Sequence, residues 1–121
     1  MIKIAICDDE KSVCRKMYSI VEQYLEEENR PAIIKSFCSG QEFLKTHIYF
    51  DIVFLDVEMP EMNGIETALK LRQWDVNSKI IKCTLCQGHY DFFLFRFLLY
   101  ICLLCRGIKV MPLIDCFHLL L

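Results

Sequence analysis

Positive charge is not in surplus in this chain of 121 residues. Its 14 Lys and Arg stand against 16 Asp and Glu, for a formal net charge of −2. A large basic surface for nucleic acid is therefore excluded in this segment. The N-terminal apolar run stops at Asp8-Asp9-Glu10, too early for the apolar core of a secretion signal. No internal repeat or low-complexity linker breaks the chain, and its length suits one domain. The apolar stretch from Phe92 to Cys105 contains Arg96 and falls short of the roughly 20 residues that span a bilayer, so no membrane span is expected. From Lys82 to Leu121 there is no Ala, Glu, Ser or Asn. Cysteine, by contrast, is plentiful: eight residues, five of them after Lys82. Without a secretion signal and with a sheet-type core, buried reduced thiols are expected rather than disulfides.

The most informative stretch is Asp51-Ile-Val-Phe-Leu-Asp56, followed by a loop with Pro60 and then Asn63-Gly64. Four consecutive apolar residues predict a strand buried on both faces, as in a parallel sheet. Ile2 to Cys7 predicts a first strand. Val13, Met17, Ile20, Val21, Tyr24 and Leu25 then recur at helical spacing. Glu26 to Asn29 closes that helix ahead of Pro31, and three glutamates opposing the macrodipole predict a frayed end. Ala32 to Cys38 predicts the second strand, and Ser39 a cap for a short helix from Gln41 to about His47. After Asn63-Gly64 a third helix is expected to bury Ile65, Ala68, Leu69 and Arg72, with Trp74 half-covering the core. Asp75 to Ser78 is a polar break, and Lys79 to Thr84 predicts the fourth strand. The alternation implies an α/β fold: a doubly wound parallel sheet with helices on both faces and the flavodoxin-like strand order 2-1-3-4-5.

In such a sheet the functional crevice lies at the carboxyl ends of the strands, and the first and third strands are neighbours there. Asp8, Asp9 and Asp56 are thus expected in one cleft. Taken singly, Asp8-Asp9 reads as a helix cap and Asp56 as a strand end. Together they would repel one another and raise each other's pKa unless a cation intervened. Hard oxygen donors of this kind suit Mg²⁺. A carboxylate can also attack phosphorus to give an aspartyl phosphate.

Cys7-Asp8-Asp9-Glu10, the run Phe54 to Pro60, Asn63-Gly64 and Thr84 resemble the receiver domain of bacterial response regulators. The likeness covers about the first two thirds of the chain. It implies that Asp56 is the phosphoacceptor, fed by a sensor histidine kinase. It further implies that Asp8, Asp9, Asp56 and the backbone carbonyl of Glu58 hold Mg²⁺, and that Thr84 supplies a hydroxyl to the phosphoryl group. The turn Phe37 to Gly40 and the phrase Glu58 to Gly64 are most similar to receivers that precede a LytTR-type DNA-binding domain. The resemblance thus implies a cytoplasmic signalling protein in transcription regulation, touching DNA only through an output domain not present in this segment.

The last third departs from the family pattern. Where the family's strand-five lysine is expected stand Leu103, Leu104, Cys105 and Arg106; Lys109 is the nearest lysine, and Tyr100 the candidate aromatic switch. The chain is thus expected to be a single receiver domain over 1–121, clear over 1–84. Residues 85–121 would be either a divergent end or the product of a shifted reading frame, apolar enough to self-associate. Cys83-x-x-Cys86 and Cys102-x-x-Cys105 have a zinc-like spacing, but the second pair lies in an apolar run where buried thiols are the better reading. His47, His89 and His118 share no helical face. Two other functions are compatible with an aspartate at the end of a strand. An aspartate-nucleophile phosphatase of the haloacid dehalogenase kind wants Asp where Glu58 stands. A phosphorylation-independent interaction module would leave the acidic pocket vestigial.

Overall fold

Alternation along three apolar runs builds the centre of the molecule. The computed structural model describes residues 1–83 and a short strand, Leu113–Asp115. In order the elements are β1 (Ile2–Cys7), α1 (Lys11–Glu27), β2 (Ala32–Phe37), α2 (Gly40–Lys45), β3 (Ile52–Asp56), α3 (Gly64–Leu71), β4 (Lys79–Cys83) and β5 (Leu113–Asp115). The strands form one parallel sheet in the order β2-β1-β3-β4-β5. The flavodoxin-like α/β architecture expected from the sequence is present.

Successive strand residues point to opposite faces. Ile4 and Ile6, Ile52 and Phe54, and Ile81 pack beneath α1 with Met17, Val21 and Leu25. Ala5 and Cys7, Val53 and Leu55, and Ile80 face the other way, against Phe37, Phe43, Phe50, Ala68 and Leu71. Two cores result, one on each side of the sheet. Every residue of β3 is buried, which is why its sequence shows no polar alternation.

Local caps set the helix ends. Ser39 Oγ accepts from the Glu42 N–H at 3.1 Å, and Asn63 Oδ1 accepts from the Glu66 N–H at 2.9 Å. The acidic end of α1, expected to fray, is closed by a Schellman motif. Asn29 takes the left-handed region (φ 52°), its N–H bonds the Glu26 carbonyl, and the Arg30 N–H bonds the Leu25 carbonyl. Asparagine tolerates that backbone region, and the motif satisfies the carbonyls that the glutamates leave open.

The inner stripe of α3 corrects the sequence reading. Gly64, Thr67, Ala68 and Leu71 face the sheet, while Ile65 and Leu69 are 47% and 65% exposed. The rotation follows from Gly64, which must lie against the backbone of β3, and from Thr67, which packs beside Gly40 of α2. Arg72 is half-buried rather than core: its guanidinium donates to the Asp75 carbonyl and to Ser78 Oγ and carbonyl. Trp74 half-covers the core as expected, edge-on to Tyr49 and tilted against His47.

This orientation is testable by urea unfolding. Leu71→Ala is expected to cost about 2–5 kcal/mol. Leu69→Ala should fall within about 0.5 kcal/mol of the parent, and Asn63→Ala should lose on the order of 1 kcal/mol.

Candidate functional site

The register of β1 against β3 makes the site. Cys7 stands beside Leu55, so the next residues, Asp8 and Asp56, emerge together at the carboxyl edge of the sheet. Asp9 follows in the turn into α1. One carboxylate oxygen from each of Asp8, Asp9 and Asp56 lies within 4.8 Å of the others. Among the described residues this is the sole cluster of side chains arranged to hold a metal ion.

Backbone amides orient two of the three carboxylates. Asp8 Oδ1 accepts from the Glu10 N–H at 2.9 Å, and Asp56 Oδ1 accepts from the Glu58 N–H at 3.2 Å. Asp8 is 4% exposed and Asp56 8%, whereas Asp9 is open to solvent. Burial, then the neighbouring charge of Asp8, push Asp56 from the ordinary carboxylate range up to about 7. Asp8 is also raised, first by burial and then by Asp9 and Glu10 against the opposing bond from the Glu10 N–H. A proton shared between the two carboxyls would relieve part of the repulsion. Three hard oxygen donors with surplus negative charge fit a small divalent cation such as Mg²⁺.

The segment after Asp56 is pinned at several points. Met59 is buried, its sulfur 3.9 Å from the Cys7 thiol. Glu61 sits in the left-handed region (φ 65°), a strained choice for glutamate, and its carboxylate accepts from the Gln41 side chain at 3.4 Å. The Gly64 N–H donates to the Val57 carbonyl at 3.0 Å. A Cβ on Gly64 would collide with the Asp56 carbonyl oxygen and lie 2.9 Å from the Val57 Cα. Only glycine lets α3 begin this close to Asp56.

The structure thus brings Asp8, Asp9 and Asp56 together and places Glu58 on the same edge. Thr84, Lys109, Tyr100 and three of the four cysteines of the zinc-like pairs lie outside the described residues. In chain order Lys109 precedes β5, whose last residue is Asp115. The thiols divide more finely than the sequence reading allowed. Cys7 and Cys14 are buried, but Cys38 is exposed at the end of β2. The Cys14 thiol donates to the Asp8 carbonyl at 3.3 Å, a link that helical periodicity alone could not reveal.

The raised Asp56 has a pH consequence in metal-free protein. Between about pH 4 and about pH 7 the unfolded chain ionises this group while the folded chain holds its proton. The folded state then binds more protons, so the stability contributed by Asp56 is complete below this window and lost as pH rises through it. Asp56→Asn removes the term. The variant is expected to have a higher urea midpoint than the parent at pH 8, with the gap closing by pH 4. Equal gaps at both pH values would contradict the buried-carboxyl account.

Comparison with known proteins agrees with this geometry. The chain is 38% identical over 73 residues to the protein-glutamate methylesterase/protein-glutamine glutaminase of Bacillus subtilis, a match covering 59% of this chain and 19% of that protein. It is 50% identical over 34 residues to chemotaxis protein CheY of Thermotoga maritima, covering 28% of each. The matched segments are thus well under two thirds of the length of either relative. Among solved structures, the BeF3-activated DrrB receiver domain superposes with a TM-score of 0.56 at 28% identity, over 79% of this chain and 74% of that one. A family model described as the response regulator receiver domain matches residues 4–93. With its strand order and its carboxylates at the sheet's edge, the chain belongs to the response regulator receiver family.

Proposed function

We propose that this receiver takes a phosphoryl group on Asp56 from a sensor histidine kinase. The observation that carries the reading is the convergence of Asp8, Asp9 and Asp56 within 4.8 Å at the carboxyl edge of the sheet. Family membership makes the haloacid dehalogenase-like alternative unnecessary.

Each residue has a distinct task in this reading. Asp8, Asp9 and Asp56 would hold Mg²⁺, with the Glu58 carbonyl beside them. When bound, the cation supplies charge that keeps the carboxylates ionised and neutralises an incoming phosphoryl group. An Asp56 oxygen attacks phosphorus, a P–O bond forms and the donor's P–N bond breaks. The Glu58 N–H holds the other Asp56 oxygen and fixes the angle of attack. The pinned segment from Met59 to Gly64 keeps that amide in place. Thr84 is proposed as the hydroxyl partner of the phosphoryl group.

Output through a LytTR-type DNA-binding domain, and hence transcription regulation, is supported by the Phe37 to Gly40 turn and the Glu58 to Gly64 phrase. A cytoplasmic location accords with the absence, among the described residues, of any helix long and apolar enough to cross a membrane. Self-association is supported by the apolar composition of 92–105 and by the exposed Ile65, Leu69 and Val76.

A phosphorylation-independent interaction module is the second reading. It is favoured by the strand-five lysine: Lys109 stands ahead of β5, and no lysine follows it. In that case the acidic cluster is inherited rather than used.

Labelling with acetyl phosphate separates the two. Phosphotransfer predicts Mg²⁺-dependent, hydroxylamine-labile label in the parent and none in Asp56→Asn. Asp8→Asn/Asp9→Asn should bind Mg²⁺ about tenfold or more weakly, since one charge contact at 4 Å is worth on the order of 1–4 kcal/mol. A parent that binds Mg²⁺ but never labels supports the module, and label surviving in Asp56→Asn refutes the assigned acceptor.

A further inference from the structure

Two thiols outside the acidic pocket stand where β1, β2 and α1 meet. Cys14, in the first turn of α1, is buried, and its sulfur lies 3.9 Å from the Phe37 carbonyl oxygen. Phe37 is the last residue of β2, and Cys38 follows it directly. Cys38 lies in the bend that leaves β2. The Phe37 carbonyl that the Cys14 sulfur approaches belongs to the peptide bond joining Phe37 to Cys38, so the Cys14 thiol stands against the backbone of its proposed partner. Burial, then the charge of Asp8, push the Cys14 thiol up to about 11. Cys38 is exposed and Cys14 is not, so an oxidant in solution meets Cys38 first.

We propose that Cys38 and Cys14 form a peroxide-sensitive thiol pair that closes to an intramolecular disulfide. In the first step the Cys38 sulfur attacks one oxygen of hydrogen peroxide. The O–O bond breaks, and Cys38 becomes a sulfenic acid with loss of one water. In the second step the Cys14 sulfur attacks the Cys38 sulfur, an S–S bond forms, and the sulfenic oxygen leaves as a second water with the Cys14 proton. The peroxide is reduced by two electrons, which the two thiols supply. The disulfide tethers the first turn of α1 to the end of β2 and takes the Cys14 thiol from the Asp8 carbonyl that it bonds in the reduced state. The pair does not rest on the phosphotransfer reading, because its formation requires neither the acidic pocket nor a phosphodonor.

Tryptic mapping of the full chain reads the outcome directly. Lys11, Arg15, Lys35 and Lys45 place Cys14 and Cys38 on separate short peptides, 12–15 and 36–45. After brief peroxide treatment and alkylation, the expected product is these two peptides joined and lighter by two hydrogens, reverting on reduction. Cys38→Ser, a surface change, should abolish the joined peptide while leaving the far-ultraviolet circular dichroism spectrum unchanged. Recovery of Cys38 as sulfinic or sulfonic acid beside an alkylated Cys14 would overturn the proposal. So would joined peptides found only in covalent dimers, or Cys14 joined instead to another cysteine.

Discussion

Carboxylates crowded into a half-buried cleft must share a proton or take up a cation. That constraint governs the carboxyl edge of this sheet. Asp8 and Asp56 are brought side by side by strand register, and the strands cannot slip without turning their core residues to the wrong face. Hydrophobic burial on two faces therefore fixes an arrangement that electrostatics alone would disperse. The Glu10 and Glu58 amides offset part of the cost by donating to the two carboxylates.

The segment from Val57 to Gly64 answers a related demand. It must hold an amide against Asp56 while crossing from the sheet to α3. Burial of Met59 anchors its beginning, and the Asn63 cap with the glycine contact anchors its end. Between them Glu61 occupies a left-handed conformation that glycine would adopt without strain. The anchors on either side hold the chain in this course, and the Gln41 side chain bonds the Glu61 carboxylate.

Most of this was legible in the residues. Unbroken apolar runs ending in aspartate located β1 and β3, and their expected adjacency put the three carboxylates in one cleft. The rotation of α3 was not legible, because Ile65 and Leu69 have the right spacing for a buried stripe. What turns them outward is a backbone contact at Gly64, which leaves no trace in hydropathy. The Schellman closure at Asn29 was hidden for a similar reason: the glutamates before it dominate any charge-based reading. The exposure of Cys38 depended on where β2 stops, one residue earlier than the apolar pattern suggested. The half-buried Arg72 was misread as core because its polar partners, Asp75 and Ser78, lie beyond the helix in a turn that looked merely polar.

The division of the interior into two cores also shapes how substitutions combine. Met17 and Val21 on one side share no packing cluster with Phe43 and Leu71 on the other. Free-energy changes from substitutions on opposite faces should therefore sum, whereas those on one face should couple through shared neighbours. The sheet acts as a partition between two nearly independent energetic compartments. The carboxylate edge, where both compartments end, is the place where changes in either can be felt together.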